Sequence, residues 1–254
     1  MEQLAAGRRV AFFGGSFDPP HLGHLAVARA ARAALELDTI LFAPVGWQPL
    51  KPSGSTASFD DRVAMTRLAI AGEAGFEVSL ADAPRASGQP NFTLETLLAL
   101  RTALPRTGVL FCLMGADAFL GLRGWHRAAE IPFVAPLVVA SRPGQHLEDM
   151  RLALPDGLTI VPLPEQANTE FESEAEPNLA NRDHCRLEVY GLHNARGEAA
   201  PFFVLPRVEV EISASQVREA IHRGFSGFSS VSSPELDLLP PGVLQYIRNR
   251  DLYL

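Results

Sequence analysis

The chain has 254 residues, 47% of them hydrophobic, a formal net charge of -7 and 2 cysteines. That length and apolar content support a substantial core in one large α/β domain, or in one domain with an insertion. The acidic balance excludes a broad nucleic-acid surface, which needs many phosphate-neutralising cations, and Cys112 and Cys185, without CxxC spacing, point to neither a thiolate metal site nor a disulfide framework.

Arg8–Phe13 reads as a buried first strand, and Gly23–Leu37 as an Ala-rich helix with Leu25, Ala28, Ala31 and Leu35 on its packed face. Between them runs Gly14-Gly15-Ser16-Phe17-Asp18-Pro19-Pro20-His21-Leu22-Gly23-His24. Its glycines let backbone N–H groups approach a ligand, a helix mouth favours an anion, and two imidazoles three residues apart can point at the same phosphates. Asp18 is expected to brace this loop rather than to act as a base. Thr39–Val45 is a second strand, followed by a Pro- and Gly-rich loop from Gly46 to Ala57 that includes Lys51. Ser58-Phe59-Asp60-Asp61 resembles a capping box and opens a helix to about Ala71. Phe76–Leu80 is a short strand, and Asn91 or Thr93 caps a helix through about Leu104.

Gly108–Met114 is a continuous apolar run, as expected of a central parallel strand, and Gly115-Ala116-Asp117 follows it directly. Pro136–Ala140 is another strand, ending at Ser141-Arg142-Pro143-Gly144. From about 164 to 200 the character changes: five glutamates crowd together between 165 and 176 and strong apolar residues are few, which reads as a surface insertion. Phe202–Ile212 returns to strand character, Ala214–Arg223 is a helix ended by Gly224, and Pro241–Arg250 is a last helix. Apolar runs such as 131–140 carry prolines and are too short to span a bilayer, and Met1–Arg9 lacks the apolar stretch of a secretory leader, so a cytoplasmic protein is expected. The alternation predicts a Rossmann-like, doubly wound parallel sheet in a single domain over 1–254, with a C-terminal helical appendage from about 213. Ligands gather beyond the carboxyl ends of the strands in such sheets.

Ser213 or Ser215 can cap the helix that follows while hydroxyls and free amides meet phosphate oxygens. Arg218, one turn further, can reach the same phosphates with a permanently charged, planar fork. These residues carry a resemblance. His21-Leu22-Gly23-His24 resembles the HxGH element of the nucleotidyltransferase superfamily, and Ile212–Arg218 is similar to that family's ISxSxxR. Within it the chain resembles the bacterial nicotinate-nucleotide adenylyltransferases. Gly14–His24, Lys51, Asp61-Arg62, Asn91–Thr96, Gly115–Asp117, Trp125, Arg142-Pro143-Gly144, Ile212–Arg218 and Leu239–Tyr246 stand in the expected order. One departure is Gln48-Pro49-Leu50-Lys51, where the family often has a His before the basic residue.

The resemblance implies adenylyl transfer from ATP to nicotinate mononucleotide, giving nicotinate adenine dinucleotide and pyrophosphate. His21 and His24 would then hold the triphosphate, and Arg218 with the Ser215 helix mouth would hold its far phosphates. Gly14, Gly15, Ser16, Phe17, Gly23, Lys51, Arg142, Ile212 and Ser213 would complete the ATP side. Trp125 would stack on the pyridine ring, amides around Leu94 and His126 would receive the carboxylate, and Thr93, Gly115 and Asp117 would lie along the mononucleotide. Mg²⁺ would arrive with ATP, with no residue assigned as its ligand. Other readings are an acceptor of the amide or phosphopantetheine type, or a non-catalytic nucleotide-binding module.

Overall fold

The computed structural model describes residues 7–50, 54–140, 147–162, 187–205, 213–226 and 234–254. In chain order these form β1 (Arg9–Gly15), α1 (Leu22–Ala34), β2 (Thr39–Pro44), α2 (Phe59–Ala69), β3 (Phe76–Val78) and α3 (Thr93–Ala103). Next come β4 (Val109–Gly115), α4 (Ala116–Leu120), α5 (Ile131–Val134), β5 (Leu137–Ala140), α6 (Leu147–Ala153) and β6 (Leu158–Pro162). β7 (Glu188–Asn194) and β8 (Ala199–Leu205) follow, then the helices Ala214–Ser226 and Pro241–Asn249.

Among the described residues the strands form one eight-stranded sheet in the order β3-β2-β1-β4-β5-β8-β7-β6. β1 pairs with β4, β4 with β5 and β5 with β8, all parallel, and Gly115, Ala140 and Leu205 stand level at the carboxyl ends. The α/β class is as expected, and the sheet is mostly parallel. It departs from an all-parallel sheet at one edge, where β6–β7 and β7–β8 are antiparallel. The reason is a tight turn: the Asn194 side chain accepts the amides of Arg196 and Glu198, both at 3.0 Å, and Gly197 takes φ +79°. So short a connection can join only antiparallel strands.

The same hairpin corrects the expected insertion. Residues 187–200 of the acidic-looking stretch run as β7, the turn and the start of β8, while 163–186 lie outside the described residues. Two helix ends also differ. Gly224 does not stop its helix, which continues to Ser226. Neither Asn91 nor Thr93 caps α3: its N-cap is Phe92, without a side-chain bond, because the Asn91 side chain accepts from Trp47 N–H and donates to Ala83 O. The α2 cap is as expected, with Ser58 Oγ accepting from Asp61 N–H at 3.1 Å.

Tertiary contacts gather the chain into two compact units, neither continuous in sequence. The first comprises Met1–Phe13, Val27–Ile40 and Phe92–Glu209, the second Gly14–Ala26, Leu41–Asn91 and Val210–Leu254. In the first, Leu113, Phe119, Leu122, Ile131, Val138 and Phe202 are fully buried, and Phe119 stacks on Phe202. In the second, Ala57, Met65 and Ala69 from α2 and its approach pack with Val217, Ile221, Leu239, Val243 and Ile247. The two C-terminal helices thus supply Val217, Ile221, Val243 and Ile247, half of the buried residues named for this core. Truncating a buried Ile such as Ile247 to Ala would cost about 2–5 kcal/mol.

Candidate active site

In the second unit, the Gly-rich turn leaves β1 at Gly15, whose carbonyl accepts from Val45 N–H at 2.9 Å. A Cβ on Gly15 would stand 3.2 Å from the Phe17 ring, which explains glycine there. Phe17 has φ +47° and a buried ring that packs edge-on to His24, with centroids 5.0 Å apart. Only its main chain is therefore offered to a ligand. The Ser16 hydroxyl donates to Gln48 Oε1 at 3.0 Å.

The histidines sit against each other, their centroids 3.8 Å apart at a tilt of 33°. His24 Nδ1 accepts from His21 N–H at 3.2 Å, so the neutral imidazole carries its proton on Nε2, a donor suited to a phosphate oxygen. Burial pulls the His21 pKa down to about 4. Burial and then the neighbouring His21 hold His24 well below the usual imidazole range. At neutral pH both rings are uncharged donors. The helix mouth differs from the expected array of free amides: Leu22 N–H donates to Leu238 O at 2.8 Å and His24 N–H to His21 O at 2.9 Å. With His21 N–H also taken, the start of α1 offers fewer free amides than expected, and its side chains are the more available donors.

Arg218 reaches the same turn from the other motif. Its Nη1 donates to the Asp18 carbonyl at 2.6 Å and its Nη2 to Ser215 Oγ at 3.1 Å. Of the two serines, Ser213 is the cap: its hydroxyl accepts from Gln216 N–H at 3.3 Å, and Gln216 Oε1 accepts from Ser213 N–H at 2.8 Å. Asp18 braces the loop as expected, its carboxylate accepting from Thr56 N–H at 2.6 Å and Ala57 N–H at 3.1 Å. Sequence reasoning gave no role to two further supports. Fully buried Arg62 donates to the Ser16, Val45 and Ala57 carbonyls at 2.8, 2.8 and 3.3 Å, and the Tyr253 hydroxyl donates to Asp18 Oδ1 at 2.8 Å. The only available signals were their places in the runs Asp61-Arg62 and Leu252-Tyr253. Lys51, Arg142 and Ile212, expected on the ATP side, lie outside the described residues.

The first unit holds the residues expected around the mononucleotide. Asp117 is exposed just beyond β4 and Gly115, and Trp125 is half-buried, its N–H donating to Leu122 O at 2.9 Å. Exposed His126 lays its ring on Phe92, with centroids 4.4 Å apart. That contact ties the Trp125 loop to the start of α3, where Thr93 and Leu94 occupy the first two helical positions. Amides there have no intrahelical acceptor, as an anionic carboxylate requires. The Leu94 side chain is buried, so its contribution is main-chain. Thr93, Leu94, Trp125 and His126 are thereby brought together.

A parallel sheet with a Gly-rich strand-to-helix turn, paired imidazoles and an arginine anchored on that turn defines a protein of the nucleotidyltransferase class. Comparison with known proteins agrees. The cytidylyltransferase-like family model matches residues 12–220. Relatives named "Probable nicotinate-nucleotide adenylyltransferase" include one from Gloeobacter violaceus, 37% identical over 247 residues and covering 97% of both chains. Another, from Trichlorobacter lovleyi, is 34% identical over 245 residues, covering 96% of this chain and 99% of its own. The chain belongs to the cytidylyltransferase-like family and, within it, to the nicotinate-nucleotide adenylyltransferases. A solved Plasmodium falciparum nicotinic acid mononucleotide adenylyltransferase complexed with NaAD has a similar fold, with a TM-score of 0.64 at 14% identity over 97% of both chains.

Proposed function

We propose that this enzyme transfers the adenylyl group of ATP to nicotinate mononucleotide. An oxygen of the mononucleotide 5′-phosphate attacks the α-phosphorus, the bond from that phosphorus to the β-phosphate bridge breaks, and pyrophosphate leaves. The nucleophile is already an anion, so no general base or covalent intermediate is needed. Positioning two anions and stabilising the charge that develops on the phosphates supply the catalysis. His24 Nε2–H donates to the reacting phosphates, His21 supports it, and Arg218 with Ser215 holds the β- and γ-phosphates. Trp125 stacks on the pyridine ring, Asp117 lies along the ribose, and the Thr93 and Leu94 amides receive the carboxylate.

The observation that carries this reading is the bond from Arg218 to the Asp18 carbonyl, which joins the two motifs across 200 residues of chain in one compact unit. Asp18 commits both carboxylate oxygens to protein donors. Magnesium would accordingly enter as part of the ATP substrate, and would offset the charge of the phosphates there. Among the described residues no helix is long and apolar enough to cross a membrane; the compartment proposed for the activity is the cytoplasm. The test is pyrophosphate release with ATP and Mg²⁺ and, in turn, nicotinate mononucleotide, nicotinamide mononucleotide and phosphopantetheine. Preference for the acid is expected. Release with neither pyridine mononucleotide would overturn the reading.

A further inference from the structure

We propose that Tyr253 is a positioning residue for ATP: its hydroxyl, through the Asp18 carboxylate, fixes the loop that carries His21 and the carbonyl on which Arg218 is anchored. The inference rests on the adenylyl-transfer reading for what the site holds, but its geometry lies wholly within the second unit.

Asp18 is a joint with two outputs. Its carboxylate takes Thr56 N–H, Ala57 N–H and the Tyr253 hydroxyl at 2.6, 3.1 and 2.8 Å, and its carbonyl takes Arg218 Nη1 at 2.6 Å. It is 4% exposed, so lost donors on the carboxylate are not simply replaced by solvent. Of the three, the phenol is the one contributed by a side chain, from a segment far away in sequence. The chain also strains to deliver it. Asp251 and Tyr253 take φ of +49° and +67°, a region that non-glycine residues occupy only where their surroundings over-determine it.

The preceding helix is held in register by a second bond of the same kind, Tyr246 O–H to Asp61 Oδ1 at 2.9 Å, and Leu252 N–H donates to Ile247 O at 3.1 Å. Burial first, then the Asp18 charge and hydrogen bond, push the Tyr253 pKa well above the usual phenol range, so the hydroxyl stays a donor at every working pH. Without that donor the Asp18 carboxylate keeps the two loop amides but loses its tie to the C-terminal segment, and its position loosens. The Asp18 carbonyl, and hence the Arg218 fork and His21 three residues on, lose a fixed reference.

The test compares the full chain with Tyr253→Phe, which keeps the ring and removes the hydroxyl, and with Tyr253→Ala. Binding of a non-transferable ATP analogue with Mg²⁺ is measured by calorimetry, alongside thermal melting and the KM values for both substrates. For Tyr253→Phe, about tenfold weaker analogue binding is expected, the size of a lost hydrogen bond to a charged group. Melting should stay within a few degrees and the KM for nicotinate mononucleotide should not change. Wild-type analogue affinity in Tyr253→Phe overturns the proposal. So does a loss seen only in Tyr253→Ala, or one in which both KM values and the melting temperature move together, since either is the mark of packing alone. If the wild-type chain binds the analogue but releases no pyrophosphate with nicotinate mononucleotide, the adenylyl-transfer reading fails while the binding comparison still decides the role of Tyr253. If it binds no analogue, both fall.

Discussion

The two units hold their site residues by different means. In the second, the working groups are hydrogen-bonded to one another, with His21, Asp18 and Arg62 buried and His24 and Arg218 half-buried: Arg218 on Asp18, Asp18 on two amides and a phenol, Arg62 on three carbonyls, His24 on His21. In the first, Asp117 and His126 are exposed, Trp125 is half-buried, and ring packing and main-chain bonds set their places. The difference matches two demands. Charge that develops in a transition state is stabilised by donors that need not reorganise, whereas a flat ring bound equally in ground and transition states needs only surface in the right place. Substitution of the donors proposed to face the reacting phosphates in the second unit should therefore lower kcat, and substitutions in the first should raise the KM for the mononucleotide.

The largest expected effect is at His24. Removing one preorganised donor to a developing oxyanion costs about 10²–10³ in turnover, so His24→Ala should lose at least that with its melting temperature near that of the wild type. A loss confined to the KM for ATP would place His24 in ground-state binding and break the contrast. Next is pH. The folded-state pKa of His21 lies near 4 against the ordinary 6.5. Between those values the unfolded chain binds more protons than the native one, so stability is complete above about 6.5 and falls as pH drops toward 4, by on the order of 3 kcal/mol. Urea unfolding at pH 7 and at pH 4.5 should show this fall, and His21→Gln should flatten it. The remaining slope comes in part from His24, whose shift has the same sign. An unchanged slope would mean that His21 is not the buried neutral group its 6% exposure implies.

The residues proposed for the ATP side could be picked out in sequence because they lie in two short runs, each a strand-to-helix or loop-to-helix transition. The strands β1, β2, β4 and β5 were legible too, because burial on both faces makes them continuously apolar. What holds those runs was not. Leu238 O on Leu22 N–H, Tyr253 on Asp18 and Arg62 on Ser16 are contacts between distant segments that no periodicity encodes. The β7–β8 turn did carry a signal, Asn194 and Gly197 with one charged residue between them. It was masked by the glutamates upstream, whose composition coloured the whole stretch.

On the exposed side the effects should be smaller and of another kind. Trp125→Ala removes a stacking face worth on the order of 1 kcal/mol, so the KM for nicotinate mononucleotide should rise about fivefold while ATP affinity holds. Steady-state kinetics with each substrate varied in turn will separate the two, and a loss of ATP affinity instead would count against stacking.

The smallest effect is the most discriminating. His126 holds the Trp125 loop to α3 through its ring on Phe92, at 4.4 Å and a tilt of 36°. An exposed aromatic pair of this kind contributes about 0.5 kcal/mol, so His126→Ala should raise the mononucleotide KM about twofold with kcat unchanged, and His126→Phe should restore it. The rescue matters because an imidazole acting on phosphate could not be replaced by phenyl. A tenfold drop in kcat that Phe fails to restore would mean that a solvent-exposed ring also works in the transition state, and mutual hydrogen bonding would no longer separate the groups that do chemistry from those that only bind.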